Sequence, residues 1–231
     1  ARDARLALSL VDVDPRIDAI AAELSGRALR WDLAQPDALD TRLGELVAAS
    51  GPVDLLINCA GVMDVRGIGS FEWGSASRLL KIDLDSPLRL MSLVTPSMIA
   101  RREGAIVNVS SMAGLTPIRG CSHYGAAKAG LAMASEIARL ELREHGVKVV
   151  TVYPGPVRSE LERRARAQLP QTLVSRWLPT GDANELAELT LRALDEDRPR
   201  LAYPTAYALA SRVPALAGRI TAWLSPAPLE T

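Results

Sequence analysis

The chain is poor in the residues that build metal centres. Its 231 residues hold two cysteines, Cys59 and Cys121, and two histidines, His123 and His145. The cysteines form no spaced pair and the histidines are too few for a cluster, so no metal is expected. Both thiols are expected free, and a reducing, cytoplasmic compartment fits best. No apolar run approaches the roughly 18 residues of a membrane span, and the N-terminus has no signal-peptide pattern. Neither sign of charge prevails, with 27 Lys+Arg against 27 Asp+Glu. No basic stripe interleaves with aromatics, which argues against nucleic acid as a partner. Lysine is scarce: only Lys81, Lys128 and Lys148 occur. Internal repeats, low-complexity tracts and interdomain linkers are absent as well.

What is present is apolar content, 48% hydrophobic, enough for one large core, so residues 1–231 read as a single domain. Strand-like and helix-like segments alternate, which predicts an α/β fold with a doubly wound parallel sheet. Strands are expected from Leu6 to Asp12, Ala28 to Asp32, Val53 to Asn58, Ala105 to Val109, Val147 to Tyr153 and Leu201 to Tyr203. The third is apolar on both faces and should be buried on both. Helices are expected from Pro15 to Leu24, Asp37 to Ser50, about Ser75 to Arg102, and around Tyr124 as far as His145, with Gly146 as C-cap. A further helix should run from Asp182 to Glu196 behind an acidic N-cap. Residues 160–180, with a helical stretch from Leu161 to Arg176, read as a mobile substrate-side excursion, and 205–231 as an apolar, proline-interrupted tail.

In such a sheet ligands bind beyond the carboxyl ends of the strands. Those ends carry Asp12, Asp32, Asn58 to Gly61, Ser110-Ser111, and the run from Pro154 to Ser159. Each alone is an ordinary turn signal; together they outline a cleft. Asp12 can accept hydrogen bonds from an adenosine ribose diol, although an acidic turn residue is the bland alternative. Val13 beside it offers no positive charge for a 2′-phosphate, which favours NAD over NADP if a dinucleotide binds. Tyr124 and Lys128 lie four residues apart and so share a helix face. An ammonium there can lower a phenol's pKa towards proton transfer near neutral pH. Such a pair arises by chance in roughly one chain in twenty, so alone it is weak.

The ordered set is more specific. Asn58-Cys59-Ala60-Gly61, Ser111 thirteen residues before Tyr124, Tyr124-x3-Lys128, and Pro154-Gly155-x-Val157-x-Ser159 resemble the motifs of the short-chain dehydrogenase/reductase family. The resemblance covers nearly the whole chain. It implies a Rossmann-like three-layer α/β/α fold and hydride transfer between a nicotinamide cofactor and an alcohol or carbonyl. It implies Tyr124 as general acid/base, Lys128 on the nicotinamide ribose and, with the cofactor's positive ring, lowering the tyrosine pKa, and Ser111 on the substrate oxygen. Pro154, Gly155, Val157 and Ser159 would orient the nicotinamide carboxamide. Asp32 and the Leu33 backbone would meet the adenine edge, with Asn58, Ala60 and Gly61 under the adenosine ribose. A homodimer or homotetramer is implied, built on the two long helices.

Two departures stand out. Asp83 occupies the place of an asparagine that supports the family's proton relay, and it joins the catalytic set here with an added negative charge near Lys128. The family's N-terminal strand and its Thr-Gly-x3-Gly-x-Gly turn are absent, and Ala1 to Arg5 resembles the end of the helix that follows them. The natural protein is therefore expected to begin about 30 to 35 residues earlier, the size of a βα unit. Trp73, Trp177 and Met112 are candidates either for a substrate pocket or for packing. The tail is suited to capping such a pocket, joining a subunit interface or touching a membrane, in that order, and it suggests a large apolar substrate. A relative that kept the fold and lost the reaction, sensing a nucleotide or acting as a scaffold, is the alternative of a different class.

Overall fold

The computed structural model describes residues 6–170 and 179–229. Trp177, and the predicted excursion beyond residue 170, lie outside them. Six parallel strands form two sheets. β1 (Ser9–Val11) pairs with β2 (Arg27–Leu29), while β3 (Leu55–Asn58), β4 (Gly104–Val109), β5 (Val147–Pro154) and β6 (Arg200–Tyr203) pair in that order. Among the described residues β1 and β3 are not paired with each other.

Alternation along the central strands explains the layers. Ile106 and Val149 face one apolar cluster with Leu39 and Leu43 of α2 (Leu39–Ser50), Leu90 and Val94 of α4 (Ser86–Arg101), and Leu142 of α5 (Ser122–Leu142). Val107, Val150 and Val152 face the other way, onto Leu186 and Ala193 of a later helix, Ala183–Asp195. Helices thus cover both faces of the sheet, and period-two alternation of branched residues places the core between them.

β3 departs from expectation. Leu56 packs into the first cluster, but Leu55 and Ile57 are 39% and 48% exposed. No described helix covers the face they point from, so β3 is buried on one face only. β2 also stops early, because Trp31 N–H turns back to Leu29 O and Ala34 N–H to the Asp32 carboxylate. The first helix, α1 (Ile17–Glu23), lies against β1 and β2.

The long helix exists but is not uniform. α3 (Trp73–Leu80) passes through a π-helical turn, Lys81–Asp85, before α4 begins with Pro87 in its first turn. α5 ends in a 3₁₀ turn, Arg143–His145, capped by Gly146 at φ 75. A Cβ at Gly146 would stand 2.5 Å from Arg102 O, so both conformation and space require glycine. The helix after Ser159, α6 (Glu160–Ala167), is shorter than expected. α7 (Ala183–Asp195) is capped by Asp182, whose carboxylate accepts from the Asn184 and Glu185 amides. α8 (Ala208–Arg212) and α9 (Pro214–Leu224) make up the tail. No helix among the described residues is long and apolar enough to cross a membrane.

Candidate active site

The end of β4 and the first half of α5 are fastened together. Ser110 extends the ladder, its N–H donating to Val152 O over 2.8 Å, and its hydroxyl donates to Lys128 O over 2.7 Å. Ser111 then caps a 3₁₀ turn, Met112–Gly114, by accepting from Ala113 N–H at 3.1 Å. Gly114 lets this turn touch α5: a Cβ there would lie 2.8 Å from the Lys128 carbonyl carbon. Ser111 is thereby held beside Tyr124, which is 6% exposed and lies one helical turn before Lys128, itself 4% exposed.

Lys128 Nζ donates to Val109 O at 3.1 Å and stands 3.2 Å from Asp83 Oδ2. That second contact is an ion pair by distance, without hydrogen-bond alignment, and Oδ2 has no other partner. Asp83 Oδ1 accepts from Val62 N–H at 2.8 Å. The π-turn aims Asp83 inward, and such turns recur at functional sites. Gly61 closes the cluster, since a Cβ there would meet Asp83 Oδ2 at 3.1 Å and Lys128 Nζ at 3.3 Å.

Burial dominates the electrostatics of Tyr124. Lys128 lies 5.8 Å from the Tyr124 ring centroid, yet the phenol is held above its ordinary value rather than below it. Burial is the largest cause, the Asp83 charge adds to it, and the Ser111 hydroxyl, hydrogen-bonded to the phenol, works the other way. Burial likewise raises Asp83, against the pull of Lys128 and the Val62 amide.

The strand-end residues on the nucleotide side are already engaged. Asp12 Oδ1 accepts from the Val13 and Asp14 amides, an acidic turn, and Asp14 in turn binds Arg16. Asp32 accepts from Ala34 N–H and from the Arg78 guanidinium, which together hold its carboxyl below the usual range. Leu33 O accepts from Ser86 Oγ. Beside Asp32 opens a surface cavity of about 430 Å³, lined by Arg78, Lys81 and Trp73 among others. Ala60 is exposed beside the partly buried Gly61.

On the other side, Pro154 ends β5 and Gly155 lies under the Tyr207 ring, where a Cβ would be 2.7 Å from Cε2. Val157 bridges to Gly181, and Ser159 Oγ caps α6 by accepting from Glu162 N–H. The tail folds back towards Tyr124: Ser225 Oγ accepts from Arg119 N–H, and Leu229 N–H reaches Gln168 O. Met112 packs with Ala132 and Tyr153 in the core, so it is a packing residue. Trp73 is exposed, and His123 lies edge-on to Phe71.

Sequence reasoning missed the polar seam beneath the site. Asn58, Asn108 and Thr151 are register partners on β3, β4 and β5. Asn58 donates to Asn108, Asn108 donates to Ser135 of α5, and Thr151 donates to Ser135 as well. The available signal was an asparagine in the middle of the apolar run Ala105 to Val109.

The sequence model of the family described as short chain dehydrogenase matches residues 2–170. An uncharacterized oxidoreductase of Myxococcus xanthus is 32% identical over 171 residues, covering 74% of this chain and 66% of the relative. The chain thus spans just under two thirds of that relative's length. A crystal structure of a short-chain dehydrogenase from Streptomyces avermitilis superposes with a TM-score of 0.78 at 25% identity, covering 94% of this chain and 86% of that one. One from Sphingobium yanoikuyae, in complex with NADPH, gives 0.77 at 28% identity over the same shares. The matched length and these likenesses establish that the chain belongs to the short-chain dehydrogenase/reductase family.

Proposed function

We infer that the protein transfers hydride between a nicotinamide dinucleotide and an alcohol or carbonyl, with Tyr124 as the general acid/base. The observation that carries this reading is the convergence of Ser111, Tyr124 and Lys128 at the end of β4, fastened by the Ser110–Lys128 hydrogen bond.

The residues present fit such a cofactor. Lys128 has three donors; Val109 O takes one and Asp83 faces another, which leaves one for a ribose hydroxyl. Asp12 and Asp32 offer carboxylates at strand ends; Arg16, close to Asp12 in sequence, is tied to Asp14, and Arg78 is tied to Asp32 itself. That set favours NAD over NADP, although the Sphingobium protein holds NADPH. The bound nicotinamide would supply or accept the hydride. Tyr124 would give its proton to the carbonyl oxygen, or take one from the alcohol. Ser111 would hold that oxygen and stabilise its developing charge. Pro154, Gly155, Val157 and Ser159 would seat the carboxamide, and Asp83 would act on the proton path through Lys128. A large apolar substrate is supported by the tail lying against the loops that flank Tyr124. Self-association is supported by an apolar stripe on α5, where Met133, Ile137 and Leu140 are exposed.

The test is NADH and NADPH binding, with turnover of a panel of ketones and alcohols, on the full-length protein and on Tyr124→Phe. Turnover that falls by about 10²-fold or more in the variant, with binding retained, supports the reading. Binding with no turnover in either protein overturns it.

A further inference from the structure

Asp83 is built into the site rather than merely near it. The π-turn directs it inward, Val62 N–H holds Oδ1, and Gly61, having no Cβ, leaves the space that Oδ2 and Lys128 Nζ occupy. Oδ2 faces Lys128 Nζ at 3.2 Å, with side chains 0% and 5% exposed. Water therefore screens this pair little. A lysine with its charge so closely answered presents a dipole to its surroundings, and Tyr124 sits 5.8 Å from Nζ.

We propose that Asp83 sets the pH range in which this site works in each direction: its charge, fixed beside Lys128, adds to burial in keeping Tyr124 a neutral phenol, so that the site protonates carbonyls at neutral pH and needs a more alkaline solution to deprotonate alcohols than it would without that charge. This rests on the assignment of Tyr124 as the proton-transferring group. In the favoured direction the carbonyl carbon takes hydride from the reduced nicotinamide. Its oxygen takes the Tyr124 proton, and the phenolate regains a proton from water. In the reverse direction the alcohol can lose its proton only to a phenolate, a form that burial and the Asp83 charge make scarce.

Among the described residues, the titratable groups near the tyrosine do not replace the withheld charge. Cys121, at the start of α5, is pushed up to about 11 by burial and stays neutral. Cys59 is exposed as a residue, yet desolvation at its thiol outweighs the Lys128 charge and raises it too. His123, the neighbour in sequence, is turned onto the Phe71 ring at 4.4 Å. Leu79, Ala127, Met63, Leu80, Leu84 and Ala113 pack with Tyr124 in an apolar cluster.

Asp83 acts through Lys128 and Tyr124 as a positioning residue, and its test reads the phenol directly. With the four tyrosines labelled at ¹³Cζ and Tyr124 assigned by Tyr124→Phe, the full-length protein is titrated without cofactor between pH 7 and 11. A unit charge at roughly 6 to 10 Å moves a pKa by about one to two units at an effective dielectric near 20. Asp83→Asn should therefore bring the onset of Tyr124 ionisation down by about that much. The pH profile of alcohol oxidation should fall by the same interval. Asp83→Ser, which removes the charge with a smaller side chain, serves as a second variant should the amide not fold. Tyr124 resonances that titrate identically with and without the Asp83 charge would overturn the proposal. The two readings fail separately: a Tyr124→Phe protein with full turnover removes the assignment of the acid, whereas an inactive one with an unmoved titration removes only the role of Asp83.

Discussion

Asp83 Oδ2 and Lys128 Nζ face each other across 3.2 Å, with almost none of either side chain reached by solvent. A buried charge stripped of its partner costs about 3–5 kcal/mol, whereas removing both charges together is often near neutral. Lys128→Met should therefore lower the unfolding free energy by that order in urea denaturation. Asp83→Asn combined with Lys128→Met should recover most of the loss. A double variant whose loss equals the sum of the two single losses would mean that the pair carries no net coupling.

Glycine substitutions should separate folding from site geometry. Gly114→Ala drives a Cβ to 2.8 Å from the Lys128 carbonyl carbon and 2.9 Å from Ala129 N, and neither backbone atom can yield cheaply. A loss of about 1–3 kcal/mol is expected, as for other overpacked positions. At Gly61 the atoms met are the ends of the Asp83 and Lys128 side chains, at 3.1 and 3.3 Å. Gly61→Ala should thus cost less stability than Gly114→Ala while lowering kcat more. Paired denaturation curves and steady-state rates check the contrast.

The layers of the fold and the grouping of Ser111, Tyr124 and Lys128 were legible because they are written in local chemistry. Alternating branched residues mark β4 and β5, and small or polar residues mark strand exits. The charge state of the tyrosine was not legible. A Tyr-x3-Lys spacing places an ammonium near a phenol and the sequence puts the Asp83 charge near that ammonium, but the 3.2 Å contact depends on the inward turn of Asp83, which no spacing records. The exposure of Leu55 and Ile57 was equally hidden, since an apolar run records what a strand can bury and not whether a helix covers it. Ser110 and Gly114 read as ordinary turn residues until the contact with Lys128 is seen.

The polar seam under the sheet supplies a third expectation. Asn108 accepts from Asn58 Nδ2 at 2.8 Å and donates to Ser135 Oγ at 3.0 Å, wholly buried. Asn108→Ala leaves the Asn58 amide without that acceptor, and an unsatisfied buried donor costs about 1–3 kcal/mol. Because Asn58 leads into the loop that ends at Gly61, NADH affinity should weaken together with stability. Melting temperature and fluorescence titration read the two effects.

The exposed stripe on α5 leads to a fourth. Met133, Ile137 and Leu140 are 61%, 46% and 79% exposed at helical spacing, an apolar row open to water. If copies of the chain associate through it, a charge at its centre should be tolerated by the fold and not by the assembly. Ile137→Glu should shift the molar mass by light scattering from dimer or tetramer to monomer, with the circular dichroism spectrum unchanged. An unaltered mass would exclude this face as the contact.

Alkaline pH supplies the last prediction, and its sign follows from Tyr124. The folded protein holds the phenol's proton more tightly than the unfolded chain, where the ordinary value is 10.0. The stabilisation from this group is therefore complete below that value and is lost as pH rises towards the folded-state value. Tyr124→Phe has no such proton to lose. Between about pH 10 and 12 the unfolding free energy of the wild type should fall more steeply than that of Tyr124→Phe, by up to about 1.4 kcal/mol per pH unit. Tyr153, raised by burial and by its bond to Glu136, contributes equally to both proteins and cancels in the difference. Parallel slopes in urea titrations across that range would show that Tyr124 ionises as easily in the fold as out of it.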